Sequence, residues 1–138
     1  MGAADTIQAA LDSHLAGLDL GLAIAWENVP FTPQVGTPWI KANLLPGPVV
    51  QAELAPQGGR SRHQGIYQVS LFYPAGQGSG PARRMADRVT AGFKRGTVLS
   101  REGLNIRIQR AWRGPALSEP EWFQVPVSVQ WFAHTPNQ

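Results

Sequence analysis

Cysteine is absent from all 138 residues, which excludes disulfides, thiolate zinc sites and a cysteine nucleophile, and is compatible with a reducing compartment. Long apolar runs are absent too. None approaches the ~18 residues of a membrane span, and the N-terminus lacks the basic region and continuous apolar segment of a signal peptide. A soluble protein kept inside a cell is therefore expected. His14, His63 and His134 share no metal-ligand spacing and no H-E-x-x-H pattern accompanies them, so there is no case for zinc. Paired carboxylates are lacking, since Glu119 and Glu121 fall in a proline-rich stretch expected to be solvated. No internal repeat is present.

Charge of one sign is scarce in each half. Up to residue 56, Lys41 alone opposes Asp5, Asp12, Asp19, Glu27 and Glu53; every arginine lies between Arg60 and Arg113, opposed by Asp87, Glu102, Glu119 and Glu121. The net charge is only +3. Such a basic half fits a nucleic-acid surface, a protein interface rich in arginine, or two halves that neutralise each other in the folded chain.

What is present centres on Gly65 to Gly96: a strand, a glycine-rich turn and a helix in immediate succession. Tyr67, Val69, Leu71 and Tyr73 alternate with Gln68 and Ser70, the period of two expected of a half-buried strand over Ile66 to Tyr73. Pro74 ends it, and Ala75 to Gly80 lead to Pro81, whose fixed φ suits a first helical position. Ala82, Met85, Ala86, Val89 and Phe93 then recur on one helical face, with Arg83, Arg84, Asp87, Arg88 and Lys94 on the other and Gly96 as the expected C-terminal cap. The glycine turn invites comparison with a phosphate loop. It lacks the Lys-Ser or Lys-Thr of a P-loop, the G-x-G-x-x-G spacing and the G-x-S-x-G of a hydrolase elbow, so nucleotide binding and acyl hydrolysis are not expected.

Before that unit, Asp5 with Gln8 reads as a capping box opening a helix from about Thr6 to Ala16, with Ile7, Ala10, Leu11, His14, Leu15 and Leu18 as its apolar stripe. His14 is expected to be a packed side chain. Leu22 to Glu27, Trp39 to Leu45 and Val49 to Leu54 read as strands, separated by a proline-rich loop in which Phe31 needs an apolar resting place. Ala55 to Gln64 reads as a mobile basic loop. After the second helix, Leu104, Ile106 and Ile108 mark a strand with a basic polar face, Arg113 to Pro120 a loop, and Val125 to Trp131 a last strand that Pro126 would place at an edge or bulge. The tryptophans read as core and interface anchors, with Trp26, Trp39 and Trp131 in strands and Trp112 and Trp122 flanking a loop. The fold class expected is α+β: one domain over residues 1–138, with a mainly antiparallel twisted sheet of about five to six strands packed against two helices.

Several stretches together resemble the tail terminator-like proteins of siphophages, the group that contains the lambda tail terminator. They are Ala23-Ile24-Ala25-Trp26-Glu27-Asn28-Val29-Pro30-Phe31, Trp39-Ile40-Lys41, Gly65-Ile66-Tyr67-Gln68-Val69, the turn and helix ending Phe93-Lys94-Arg95-Gly96, and Trp122-Phe123-Gln124-Val125-Pro126-Val127. The resemblance implies a non-enzymatic virion subunit with no cofactor or metal. It would form a ring, usually hexameric, that caps the tail tube and offers a joining surface to the head, assembled in the host cytoplasm. Its partners would be other copies of itself, the tail tube protein and a head-side connector, with DNA passing through the lumen without sequence-specific binding and no membrane involved. Gly58 to His63 and Trp112 to Glu121 are the loops expected to carry recognition, and Arg60, Arg62, Arg84, Arg88, Trp112 and Arg113 the expected interface residues. Two other readings stand beside it: a different neck or tail-completion protein, and a small nucleic-acid-binding module built on Arg60, Arg62, Arg83, Arg84, Arg88, Arg107, Arg110 and Arg113.

Overall fold

The computed structural model describes residues 2–51 and 60–136. Its framework is a pair of 15-residue antiparallel strands, β4 (Arg60–Pro74) and β8 (Trp122–Pro136), aligned from Arg60 opposite Pro136 to Pro74 opposite Trp122. Around this pair the path runs β1-β2-β4-β8-β6-β5, with β1 at Ala23–Ala25, β2 at Trp39–Pro46, β5 at Val98–Arg101 and β6 at Leu104–Arg113. Two short pieces, β3 (Val50–Gln51) on β4 and β7 (Leu117–Ser118) on β8, lie off the path. The class is α+β as expected, but the sheet is mixed: β1 runs parallel to β2.

Alternation decides what the helices cover. Tyr67, Val69 and Leu71 of β4, Val125, Val127, Val129, Trp131 and Ala133 of β8, Ile106 and Ile108 of β6, and Ile40 and Ala42 of β2 are all buried on one face. Against it pack Ile7, Leu11 and Leu15 of α1 (Ala3–Gly17) and Ala82, Ala86, Val89 and Phe93, on or just after α2 (Gly80–Gly92). The small Ala82 and Ala86 on the buried stripe let the α2 backbone approach the sheet closely. At Gly65 two chain segments nearly touch, since a Cβ there would lie 2.5 Å from the Leu45 carbonyl oxygen. Only glycine lets β4 pass beneath the Pro46–Gly47 corner, where Gly47 N–H donates to the Gln64 carbonyl at 2.8 Å.

Several expectations are corrected. α1 opens at Gly2 without a side-chain cap, so Asp5 lies within its first turn and the capping box does not form; Thr6 donates instead to the Gly2 carbonyl. α2 ends at Gly92 with Phe93 as its cap, while Gly96, at φ +90°, belongs to a later turn whose N–H reaches the Ile108 carbonyl. β5 went unread because its four residues are mostly exposed and show no alternation. The basic stretch from Arg60 to Gln64 is not a loop but the start of β4, and residues 55–59 of that expected loop, with residues 52–54 of the strand expected to Leu54, lie outside the described residues.

Trp112 and Arg113 are the last residues of strand β6, so Trp112 and Trp122 do flank a loop, but that loop starts at Gly114 and not at Arg113, and it contains β7. Pro126 is not at an edge: it lies in central β8 opposite Ser70. Its carbonyl accepts from Gly114 N–H at 2.8 Å, and a strand residue's N–H and C=O point the same way. The missing N–H therefore faces the gap between β6 and β7, where no ladder bond is needed.

Candidate interaction surfaces

Neither helix covers the second face of the sheet. Its residues are the alternate set: Lys41 and Asn43 on β2, Arg62, Gln64, Ile66 and Gln68 on β4, Ser128, Gln130, Phe132 and His134 on β8, and Arg107 on β6. No strand in the described chain contains an aspartate or glutamate, whereas the strands hold Lys41, Arg60, Arg62, Arg101, Arg107, Arg110 and Arg113. The acidic side chains of the described residues sit on helices, turns and connections. The described strands are thus basic without acids, whereas the segments around them mix acids with Arg83, Arg84, Arg88, Lys94 and Arg95.

A register shift between Ile108 and Arg110 adds to the open face. Strict alternation would send Arg110 to the helix side with Ile106 and Ile108. The extra residue at Gln109 reverses the order, so Arg110 pairs with Gln130 and Trp112 with Ser128, both open-face positions. Re-aiming side chains is what a bulge does. Two guanidinium groups are then held over rings: Arg62 lies 4.1 Å from the Phe132 ring centre and Arg110 4.5 Å from that of Trp112. Arg62 Nε also donates to Gln64 Oε1 at 3.0 Å, and Arg110 Nε to Gln130 Oε1 at 3.1 Å. Beside them Arg95, Val98, Arg107, Arg110, Gln130 and Phe132 line a trough of about 460 Å³.

The other end of this face is aromatic. Trp39 stacks on Phe72 with centroids 4.1 Å apart and planes 6° apart, Phe31 lies 5.2 Å from Trp39, and Trp122 meets Trp39 edge-on at 6.0 Å. That cluster is the apolar resting place Phe31 required, and it pins the proline-rich loop to the sheet.

The six expected interface residues do not form one patch. Arg60, Arg62 and Trp112 belong to open-face positions of β4 and β6. Arg113 points to the helix side, where it meets Asp87 at 3.7 Å, both side chains well exposed. Trp112 and Arg113, expected to act together, therefore project from opposite faces of one strand. Arg84 and Arg88 are exposed on α2 near Tyr73: burial pushes that phenol's pKa up while Arg88 and Arg84 pull it partly back. Arg107 and Arg110 were visible as arginines, but their joint exposure on one face depends on the bulge, which leaves no sequence mark.

One of the polar contacts between the helix layer and the sheet starts from buried Tyr67. Tyr67 OH donates to Asp12 Oδ1 at 2.5 Å, and burial, offset in part by this bond and reinforced by Glu27, raises the Asp12 pKa above its ordinary value. The histidines lie apart: His14 Nε2 is 2.7 Å from the Gly92 carbonyl with its ring edge-on to Phe93, His63 pairs with Thr135 Oγ1, and His134 lies against Phe132. Among the described residues no group of three or more His, Asp or Glu side chains is placed to hold a metal.

A family model described as phage tail terminator protein matches residues 6–131. Among solved structures, one chain superimposes with a TM-score of 0.74 at 25% identity over 96% of this chain and 96% of its own. A chain from the virion of a native gene transfer agent particle gives a TM-score of 0.56 at 22% identity, over 97% and 98% of the two chains, and so shares the fold. No curated protein matches.

Proposed function

The chain belongs to the phage tail terminator family and is thereby a structural component of a phage tail; we propose that it acts there as a closed ring, hexameric, that caps the head-proximal end of the tube. In that position it halts tube polymerisation on one side and presents the surface that joins the head on the other, with the whole chain acting as one unit. The family match over residues 6–131 carries this reading. The separation of charge supports it: arginine-bearing strands and an acid-bearing first helix are unlike surfaces of one protomer, and unlike surfaces meeting head to tail are what close a ring. Arg60, Arg62, Arg84, Arg88, Trp112 and Arg113 are proposed contacts to neighbouring copies, tube protein or head-side connector. Because the structure divides them between two sides, they would serve at least two partners.

Tail length in a phage lacking the protein tests the reading. Electron micrographs should show tails beyond their normal length and unattached to heads, and native mass spectrometry of the purified protein should show a cyclic species at high concentration. Normal-length tails joined to heads in the absence of the protein would falsify the terminator role and leave another neck or completion role in its place.

A further inference from the structure

The open face of the sheet has a chemistry that tube capping does not require. We propose that the stretch of this face around Phe132 binds the phosphate backbone of double-stranded DNA, without regard to sequence. Binding at this face would stand whether or not the protein closes a ring.

Three observations converge on that occupant. First, Arg62, Arg107 and Arg110 rise from β4 and β6 on either side of central β8, so the row spans roughly 10 Å across two strand spacings. None of the three has a carboxylate partner among the described residues, and no described strand carries an acid that would repel a polyanion crossing the sheet. Second, two of the three are pre-arranged, Arg62 by Phe132 and Gln64 and Arg110 by Trp112 and Gln130. Rings and neutral amides fix their direction while leaving the charge unneutralised, so little order is lost on docking. Third, the positions between them are neutral hydrogen-bonding side chains, Gln64, Gln68, Ser128 and Gln130. Amides and hydroxyls beside guanidinium groups are the groups that contact DNA phosphate and sugar.

The same geometry favours duplex over single strand. Single-strand binding relies on bare aromatic faces for base stacking. Here Phe132 is covered by Arg62 and Trp112 by Arg110, so the rings serve as supports for the arginines and offer no platform. An acidic protein surface is the competing occupant, a second copy of this chain included, and the experiment separates it from DNA.

The test is fluorescence anisotropy of the full-length protein with a labelled random-sequence duplex, titrated between 50 and 300 mM salt. Expected is binding whose logarithm falls linearly with log salt, as counterion release requires. Arg62→Ala, Arg107→Ala and Arg110→Ala should each lower the slope by about 0.9, and the triple variant should bind too weakly to measure. Arg107→Lys should keep the slope, while Arg83→Ala on the exposed side of α2 should change nothing. Circular dichroism melting confirms that each variant folds. Three results would overturn the proposal: no duplex binding at 50 mM salt, equal binding of a single strand, or arginine variants that alter the oligomer's mass while leaving DNA affinity unchanged. The last would make this face a contact between copies. Duplex binding with normal tail length in the deletion phage would count against the terminator role and leave DNA binding intact; long tails without duplex affinity would do the reverse.

Discussion

The two faces of the β4–β8 pair are made by alternate residues of the same strands, yet they follow different rules. On the helix side Tyr67, Val69 and Leu71 meet Val125, Val127 and Val129, all buried, and shape and volume decide what fits. On the other side Arg62, Gln64 and Gln68 face His134, Phe132 and Ser128, half-buried, and the strictest pattern is that acids are missing. A merely solvated face needs charge of either sign. An open face with five basic residues, Lys41, Arg60, Arg62, Arg107 and Arg110, and no acidic one on any described strand has a polarity that folding alone does not demand.

The sharpest break in this comparison comes at two neighbours in the chain. Trp131 is 2% exposed with its indole N–H unpaired among the described residues, so packing alone holds it. Trp131→Ala should cost about 3–5 kcal/mol in urea unfolding, while Phe132→Ala, one residue away on the open face, should cost clearly less and chiefly disorder Arg62. Equal costs would mean that the open face is as tightly packed as the covered one.

The bulge gives the next largest effect. Deleting Gln109 should remove the bulge and give strict alternation in β6 with Arg110 and Trp112 still on the open face and Ala111 and Arg113 still toward the helices. Closing the ladder over the lost residue should lower stability by about 1 kcal/mol, the usual size for a single change, and keep the Arg110 contribution to the open face. A deletion variant that loses the Arg110 contribution to duplex binding would show that the strand slips in register instead of closing over the gap.

These faces also mark how much of the fold was legible. The strands around Tyr67, Ile106 and Val127 and both helices were readable because one side of each is buried, and burial imposes a period on sequence. Arg60 to Gln64 resembled a loop for the opposite reason: β4 there is half-buried on both sides, so polar residues alternate with polar residues. β5 is too short and exposed to show a period, and parallel β1 spans three residues. Pro126 read as an edge because its neighbours in space, the β6 end and the β7 start, are set by tertiary structure. The arginines of the candidate site were visible individually; their division between two faces was not, because one inserted residue at Gln109 decides it.

The smallest effect expected lies where the helix layer touches the covered face. Burial raises the Asp12 pKa above its ordinary 3.8 despite the bond from Tyr67, so the folded chain binds this proton more tightly than the unfolded chain. The sign follows: Asp12's stabilising contribution is fully present below pH 3.8 and is lost as pH rises through the raised value, leaving the ionised carboxylate a net cost at neutral pH. Asp12→Asn keeps an oxygen acceptor for Tyr67 OH and removes the charge. At pH 7 it should therefore leave stability unchanged or raise it by less than about 1 kcal/mol, since the carboxylate is only half-buried and water screens it. The difference from the parent should shrink as pH falls toward the acid range. Urea midpoints at pH 7, 6 and 5 for both proteins check this, and a variant that is distinctly weaker at pH 7 but not at pH 5 would show that the Tyr67 bond to the ionised carboxylate outweighs its burial.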